Sequence, residues 1–356
     1  MKINFKKILD MLEPVPASEK IFFANRLRVM IKAGISITEA ITTLATETHH
    51  KKFKKILTEI EQSVEKGEQL VIALDKYPGV FSNFFRSMIR IGEVSGTLEK
   101  NLQELSNQMH KDRNLLLKIR GALTYPVIIL IATIIIVVGM FIYVIPSLIS
   151  VFESFNANLP LATRVLIAVS KLLTNYGLIV AILALAVIII LAWFFRTKGK
   201  PFWHNLLLHL LIIGPIVKKV NLARFSRTLS ALLATDIPVV QGLEVTSEVL
   251  GNVHYRYSIT RAAEEIKKGV PISEVLKQKP KLFPPMITTM IAVGEKSGTT
   301  DDMLKEVAEF YEADVDQITK NLSQVIEPLL ILFLGAVVGG IALAIISPIY
   351  SLSQQI

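Results

Sequence analysis

The chain has 356 residues, 51% of them hydrophobic and only 19% charged, and its mean hydropathy of +0.49 exceeds what ordinary soluble domains carry. It holds no cysteine, which excludes disulfides, thiolate metal sites and cysteine nucleophiles. The formal net charge is +9, yet no basic face interleaved with aromatic residues marks a nucleic-acid binder, so nucleic acid is not expected as a partner.

Residues 1–120 carry 20 Lys+Arg against 14 Asp+Glu and form the first polar block. The start, from Met1 to Lys7, is not followed by a long uncharged run, so no cleavable signal peptide is predicted. Apolar residues then recur at three- and four-residue spacing, as in Leu98, Leu102, Leu105 and Met109, and strand-like alternation is absent. Turn residues at Gly34, Gly67, Pro78-Gly79 and Gly96 divide the block into about six short helices, which predicts a cytoplasmic helical bundle.

From Gly121 to Phe152 no residue is Asp, Glu, Lys, Arg or His. That run exceeds the ~20 apolar residues needed to cross a hydrocarbon core, and a first membrane span is predicted over 121–150. Residues 151–176 read as an external loop, and 177–195 as a second span. Leu206–Val217 is too short to span; Gly214-Pro215 interrupts it, and Trp203 and Lys218-Lys219 bracket it, so it reads as lying at the membrane surface. Residues 196–327 read as a second cytoplasmic bundle, divided at Asp236, Gly269, Pro280, Pro284-Pro285 and Gly298. A third span follows over 328–350, then a short external tail, 351–356.

Basic residues near the span ends set the orientation. Lys111, Arg113, Lys118 and Arg120 precede the first span and Arg196, Lys198 and Lys200 follow the second, whereas the intervening loop holds only Arg164, Lys171 and Glu153. The N-terminus is therefore expected in the cytoplasm and the C-terminus outside.

A shift of 202 lays the chain on itself without a gap. Phe23-Ala-Asn-Arg-Leu meets Phe225-Ser-Arg-Thr-Leu, Lys66-Gly67 meets Lys268-Gly269, Phe81 meets Phe283, Pro126 meets Pro328, and Pro146 meets Pro348. One register held over more than a hundred residues is a duplication. The fold class is thus an all-α integral membrane protein of two duplicated cytoplasmic six-helix bundles and three transmembrane helices.

The motif repeated most plainly is Gly92-Glu93-Val94-Ser95-Gly96-Thr97 with Gly294-Glu295-Lys296-Ser297-Gly298-Thr299. It lacks the glycine spacing and the preceding strand of a phosphate loop. It reads instead as a helix junction, with Gly96 and Gly298 ending one helix and Thr97 and Thr299 capping the next. Glu93 and Glu295 are candidates for tying helices together or meeting a basic partner. The six histidines form no metal set: His204 and His209 lie on different helix faces, and His49-His50 share a loop. No catalytic constellation emerges, and no cofactor is expected. In the third span Gly335-Ala-Val-Val-Gly339 fits close helix packing. Proton relays and transporters place ionisable groups inside the bilayer; here only Glu327 comes near, at the cytoplasmic edge. That weighs against the competing reading, a membrane subunit of a transporter or permease complex.

The duplication, the paired junctions, Tyr125-Pro126 and Glu327-Pro328 at the span entrances, the external Leu159-Pro160-Leu161 with Thr163-Arg164, and Ile212-Ile213-Gly214-Pro215 come in a shared order. In this the chain resembles the F-type inner-membrane platform proteins of type II secretion and type IV pilus assembly. The resemblance runs from about Ser18 to the end. It implies a non-enzymatic platform in a bacterial cytoplasmic membrane that works as a homo-oligomer. Its partners would be a hexameric assembly ATPase, pilin or pseudopilin subunits and other inner-membrane assembly proteins. It further implies interdomain or partner contact at Glu93 and Glu295 and span packing at Gly335 and Gly339.

Overall fold

The structure, a computed structural model, describes residues 14–147, 149, 161–197 and 199–353. Residues 1–13, Leu148, the stretch 150–160 with Glu153, Leu159 and Pro160, Lys198, and 354–356 of the tail lie outside these. Every described element is a helix. In the first repeat these are α1 (Ala17–Lys32), α2 (Ile37–Glu47), α3 (Lys51–Glu65), α4 (Leu70–Asp75), α5 (Asn83–Ser95) and α6 (Leu98–Gly139), which continues into a π-helical turn, Met140–Val144. Then come α7 (Leu161–Arg196) and α8 (Lys200–His209). The second repeat gives α9 (Ile213–Leu233), α10 (Val239–Val249), α11 (Val253–Ile266), α12 (Ile272–Lys277), α13 (Pro285–Ser297) and α14 (Thr300–Ser353).

The helix starts follow from local chemistry. The Ser36 hydroxyl accepts from Glu39 N (3.2 Å), Ser82 from Phe85 N (3.3 Å) and the Asn252 side chain from His254 N (2.9 Å), each satisfying an amide that the first turn leaves open. In α3 Phe53, Ile56, Leu57 and Ile60 form one buried stripe, and lysines and glutamates cover the opposite face.

The chain divides into two compact units. One takes the described residues of 1–116 with 204–315, so both repeats fold together in it. Phe23, Phe53, Phe81 and Phe85 meet at its first core, with ring centroids 5.0 to 6.2 Å apart. The second core places Phe225, Tyr255 and Phe283 at the equivalent positions, the Tyr255 hydroxyl donating to the Leu282 carbonyl (2.8 Å). Leu232, Ile237 and Val245 of the second repeat join the first core, so the repeats share apolar packing.

The other unit takes the described residues of 117–203 and 316–356. Three helices, over Leu98–Ser147, Thr163–Phe195 and Thr300–Leu343, are long and apolar enough to cross a membrane, with mean hydropathies of 3.1, 3.2 and 2.3 in their most apolar stretches. Their side chains point outward, Ile135 at 65%, Ile190 at 61% and Leu332 at 70% exposure. An aqueous surface would not tolerate this, whereas a hydrocarbon surround does. The π turn frees the Phe141 carbonyl, and Ser170 donates to it (2.7 Å), linking the first and second of these helices.

Two sequence expectations need correcting. Residues 161–176, assigned to the external loop, are helical. The bend falls at Tyr176 (φ −127°, ψ 18°), where the predicted span begins. Gly214-Pro215 does not interrupt a surface helix either. The chain turns by 109° between α8 and α9, across residues 210–212, and Gly214-Pro215 sits in the first turn of α9. There a proline is tolerated because the first amides have no intrahelical acceptor.

Candidate functional site

The repeated junction is built alike in both halves. Gly96 (φ 70°) and Gly298 (φ 74°) end α5 and α13 in the left-handed region. Thr97 and Thr299 follow, their carbonyls accepting from Asn101 N and Met303 N (both 3.1 Å), which makes them the first residues of α6 and α14 to enter the helical ladder. Each threonine hydroxyl lies 2.6 Å from a serine, Ser95 or Ser297. Those serines also donate back to Ile91 O (2.7 Å) and Val293 O (2.9 Å). At Gly92 an added Cβ would stand 2.7 Å from Leu98 Cα, and at Gly294 2.7 Å from Thr300 Cα. Only glycine lets the next helix double back this closely.

Glu93 and Glu295 turn their carboxylates inward. Glu93 Oε1 accepts from Leu70 N (2.6 Å) and Oε2 from Val71 N (2.8 Å), at the start of α4. Glu295 accepts from Ile272 N (2.5 Å), Ser273 N (3.3 Å) and the Ser273 hydroxyl, at the start of α12. Neither short helix has a capping side chain of its own at the preceding residue. A carboxylate at a helix N-terminus satisfies open amides and meets the positive end of the dipole. At the outer side of the junctions the side chains of Val94 (77% exposed) and Lys296 face solvent.

Between the repeats lies a polar seam that sequence reasoning missed. Lys100 donates to Ala234 O (3.2 Å) and Gln108 to the Thr228 hydroxyl (3.1 Å). Asp112 stands 3.5 Å from Arg224 and 3.7 Å from Arg227, and Arg227 also pairs with Glu312. Burial pushes the Arg227 guanidinium below its ordinary value, and Asp112 opposes this. Among the described residues, Arg227 Nε and Nη1 are buried without a hydrogen-bond acceptor. A cavity of about 510 Å³ opens beside the seam, between the start of α6 and the start of α14, with α9 as its floor. The available signal was in α9, where Ser226, Arg227, Thr228 and Ser230 are polar yet lie in a stretch that is buried on nearly every side.

His204 also has a structural role, its Nδ1 accepting from Val253 N (3.0 Å) at the start of α11. Among the described residues no group of three His, Asp or Glu is placed to hold a metal ion.

Tyr125 and Pro126 lie inside α6, and Glu327 and Pro328 inside α14, 202 residues apart. Tyr125 and Glu327 are exposed. Nearby, Lys118 holds Asp316 (2.6 Å to Oδ1), joining the two helices. Among the described residues, no heavy atom lies within 4 Å of the place a Cβ would take at Gly335 or Gly339.

Two long helices emerging from duplicated bundles define a class, that of a duplicated helical membrane protein. The chain belongs to the family of protein F of the type II secretion system, whose model matches residues 23–146 and again 225–348. Type IV pilus assembly protein PilC of Thermus thermophilus is 35% identical over 93% of this chain and 81% of its own length. PilC of Myxococcus xanthus is 32% identical over 100% and 87%. Type II secretion system protein F of Aeromonas hydrophila is 32% identical over 95% and 87%.

Proposed function

We propose that this protein is a non-enzymatic inner-membrane platform. It couples a cytoplasmic hexameric assembly ATPase to the insertion of pilin-like subunits into a type IV pilus or type II secretion pseudopilus. The observation that carries the reading is that each repeat ends in one helix, α6 or α14, that continues without a break into an apolar stretch. A displacement applied to a bundle is then transmitted along a stiff rod rather than absorbed in a loop. The names of the relatives, which concern pilus assembly and type II secretion, support the same reading.

In this reading residues 1–120 and 196–327 lie in the cytoplasm, the N-terminus is inside and the C-terminus outside. The ATPase meets the bundles at the outward side of the junctions, around Val94 and Lys296, while Glu93 and Glu295 hold that surface in shape. Pilin-like subunits and other inner-membrane assembly proteins meet the spans, with Gly335 and Gly339 free to pack against them.

The test is crosslinking with mass spectrometry on the protein in its native membrane. The expected result is an assembly ATPase on residues 1–120 or 196–327 and pilin-like subunits on the spans. Solute-binding or permease subunits, with neither of those partners, would overturn it in favour of a transporter.

A further inference from the structure

In the second repeat the segment just upstream of the first helix is part of the bundle. α8 precedes α9 and packs back on it. The His204 carbonyl accepts from the Asn252 side chain (3.2 Å), His204 Nδ1 accepts from Val253 N (3.0 Å), and Leu208, 5% exposed, enters the second core. Around it Val220, Asn221, Leu250 and Tyr255 are all buried. Shifted by 202, those four positions are Ser18, Glu19, Thr48 and Phe53, and in the first repeat they line an open cavity of about 240 Å³. Phe22 and Phe23 of α1 and Leu44 of α2 give it apolar walls, yet Ser18, Phe22 and His49 are exposed. At one end Arg26 lies 4.0 Å over the Phe22 ring and pairs with Glu47, where the second repeat has Arg224 and Thr228 against α6. At the other end, among the described residues, nothing stands in the place of α8, since only 14–16 precede α1.

We propose that residues 1–13 of the same chain seat in this cavity and complete the first bundle, as α8 completes the second. Three observations select this occupant. The described chain begins at Pro14, four positions before the cavity wall at Ser18, so at most about 14 Å of chain separates the segment from its site. In the other copy of the unit, the segment preceding the equivalent helix performs the same task. The composition also fits: Phe5, Ile8, Leu9 and Leu12 supply apolar side chains for the walls, and Lys2, Lys6 and Lys7 oppose the charge of Glu19 and Glu47. A basic segment with this apolar content has one competing destination, the bilayer surface. The cavity favours the intrachain site, because burying Phe22, 53% exposed, removes an apolar side chain from water. The inference rests on the duplication and not on the filament-assembly reading, so loss of filaments is not its readout.

The test uses full-length protein in lipid nanodiscs and exploits the absence of cysteine in the chain. A chain carrying Lys7→Cys and His49→Cys, made in isotopically heavy and light forms that are mixed before reconstitution, is treated with a short bis-maleimide. The comparison chain pairs Lys7→Cys with Glu65→Cys, an exposed position at the other end of α3, about 18 Å along that helix from Phe53. The expected result is a link between positions 7 and 49 within one copy, light to light and heavy to heavy, at about ten times the yield between 7 and 65. Adding Phe5→Asp lowers the 7–49 yield about tenfold, because a carboxylate then enters apolar walls. A polarity-sensitive fluorophore on the Lys7→Cys chain stays unquenched by nitroxide-labelled lipids. The proposal fails if position 49 links no better than 65, or if Phe5→Asp has no effect. It fails equally if heavy-to-light links predominate, which would make a second copy the source of the segment, or if the lipids quench the fluorophore, which would place the segment on the bilayer.

Discussion

Gly34 and Asp236 occupy the same place in the two repeats, and both take positive φ, 82° and 60°. Each closes a helix by the same pair of bonds, Gly34 N to Ile31 O and Ile35 N to Met30 O in one copy, Asp236 N to Leu233 O and Ile237 N to Leu232 O in the other. An L-residue in that region carries a steric cost glycine lacks. Asp236→Gly should therefore stabilise the protein by about 0.5–1 kcal/mol, the strain relieved less the added chain entropy, read from thermal unfolding. A loss of stability would mean the aspartate side chain compensates its backbone. Tyr77 provides a pH signature. Its burial, and its hydrogen bond to Glu59, raise the phenol from 10.0 to about 12. A phenol whose folded value is raised leaves stability intact below 10 and removes it as pH climbs toward 12, because the unfolded chain releases the proton first. Tyr77→Phe should flatten part of the loss between pH 10 and 12 in unfolding followed by circular dichroism.

At the scale of elements, α4 and α12 are six residues each, far too short to persist alone. Glu93 and Glu295 each hold their first two amides from 23 and 22 residues away. Glu93→Ala or Glu295→Ala leaves those amides unsatisfied, and each should lower stability by about 1–3 kcal/mol. Hydrogen exchange should rise at Leu70 and Val71, or at Ile272 and Ser273, before the rest of the repeat; uniform exchange would argue against a local cap. The sequence made much of this junction legible, because glycine in a left-handed residue and threonine at a helix start are local signals. It did not show which helix start the glutamates would reach, since nothing local encodes a partner so far upstream. Gly214-Pro215 misled for a related reason. The dipeptide suits a break and a first helical turn equally well, and only the packing of Leu208 and Leu222 into the second core selects the latter.

For the molecule as a whole, the duplication and its apolar spans were readable because both are repeating patterns in the chain. The seam was not, because Gln108 and Thr228 lie 120 positions apart, and Arg227 replaces the asparagine that stands at Asn25 in the first repeat. At that departure from the repeat Arg227 reaches Asp112 of the first repeat (3.7 Å). Arg227, 6% exposed, is held between Asp112 and Glu312. Removing one member of such a buried cluster leaves the others uncompensated, at a cost of about 3–5 kcal/mol. Arg227→Met should lower unfolding stability by that order. Adding Asp112→Asn and Glu312→Gln to the same chain should recover most of it, since the stranded charges are then gone. By contrast, Gly335→Ala, with nothing within 4 Å of the new methyl group, should change the stability of an isolated copy by less than about 0.5 kcal/mol. If the triple variant remains as unstable as Arg227→Met alone, the guanidinium acts by filling space rather than by balancing charge. The repeats would then be joined chiefly by the apolar contacts of Leu232, Ile237 and Val245 with the first core.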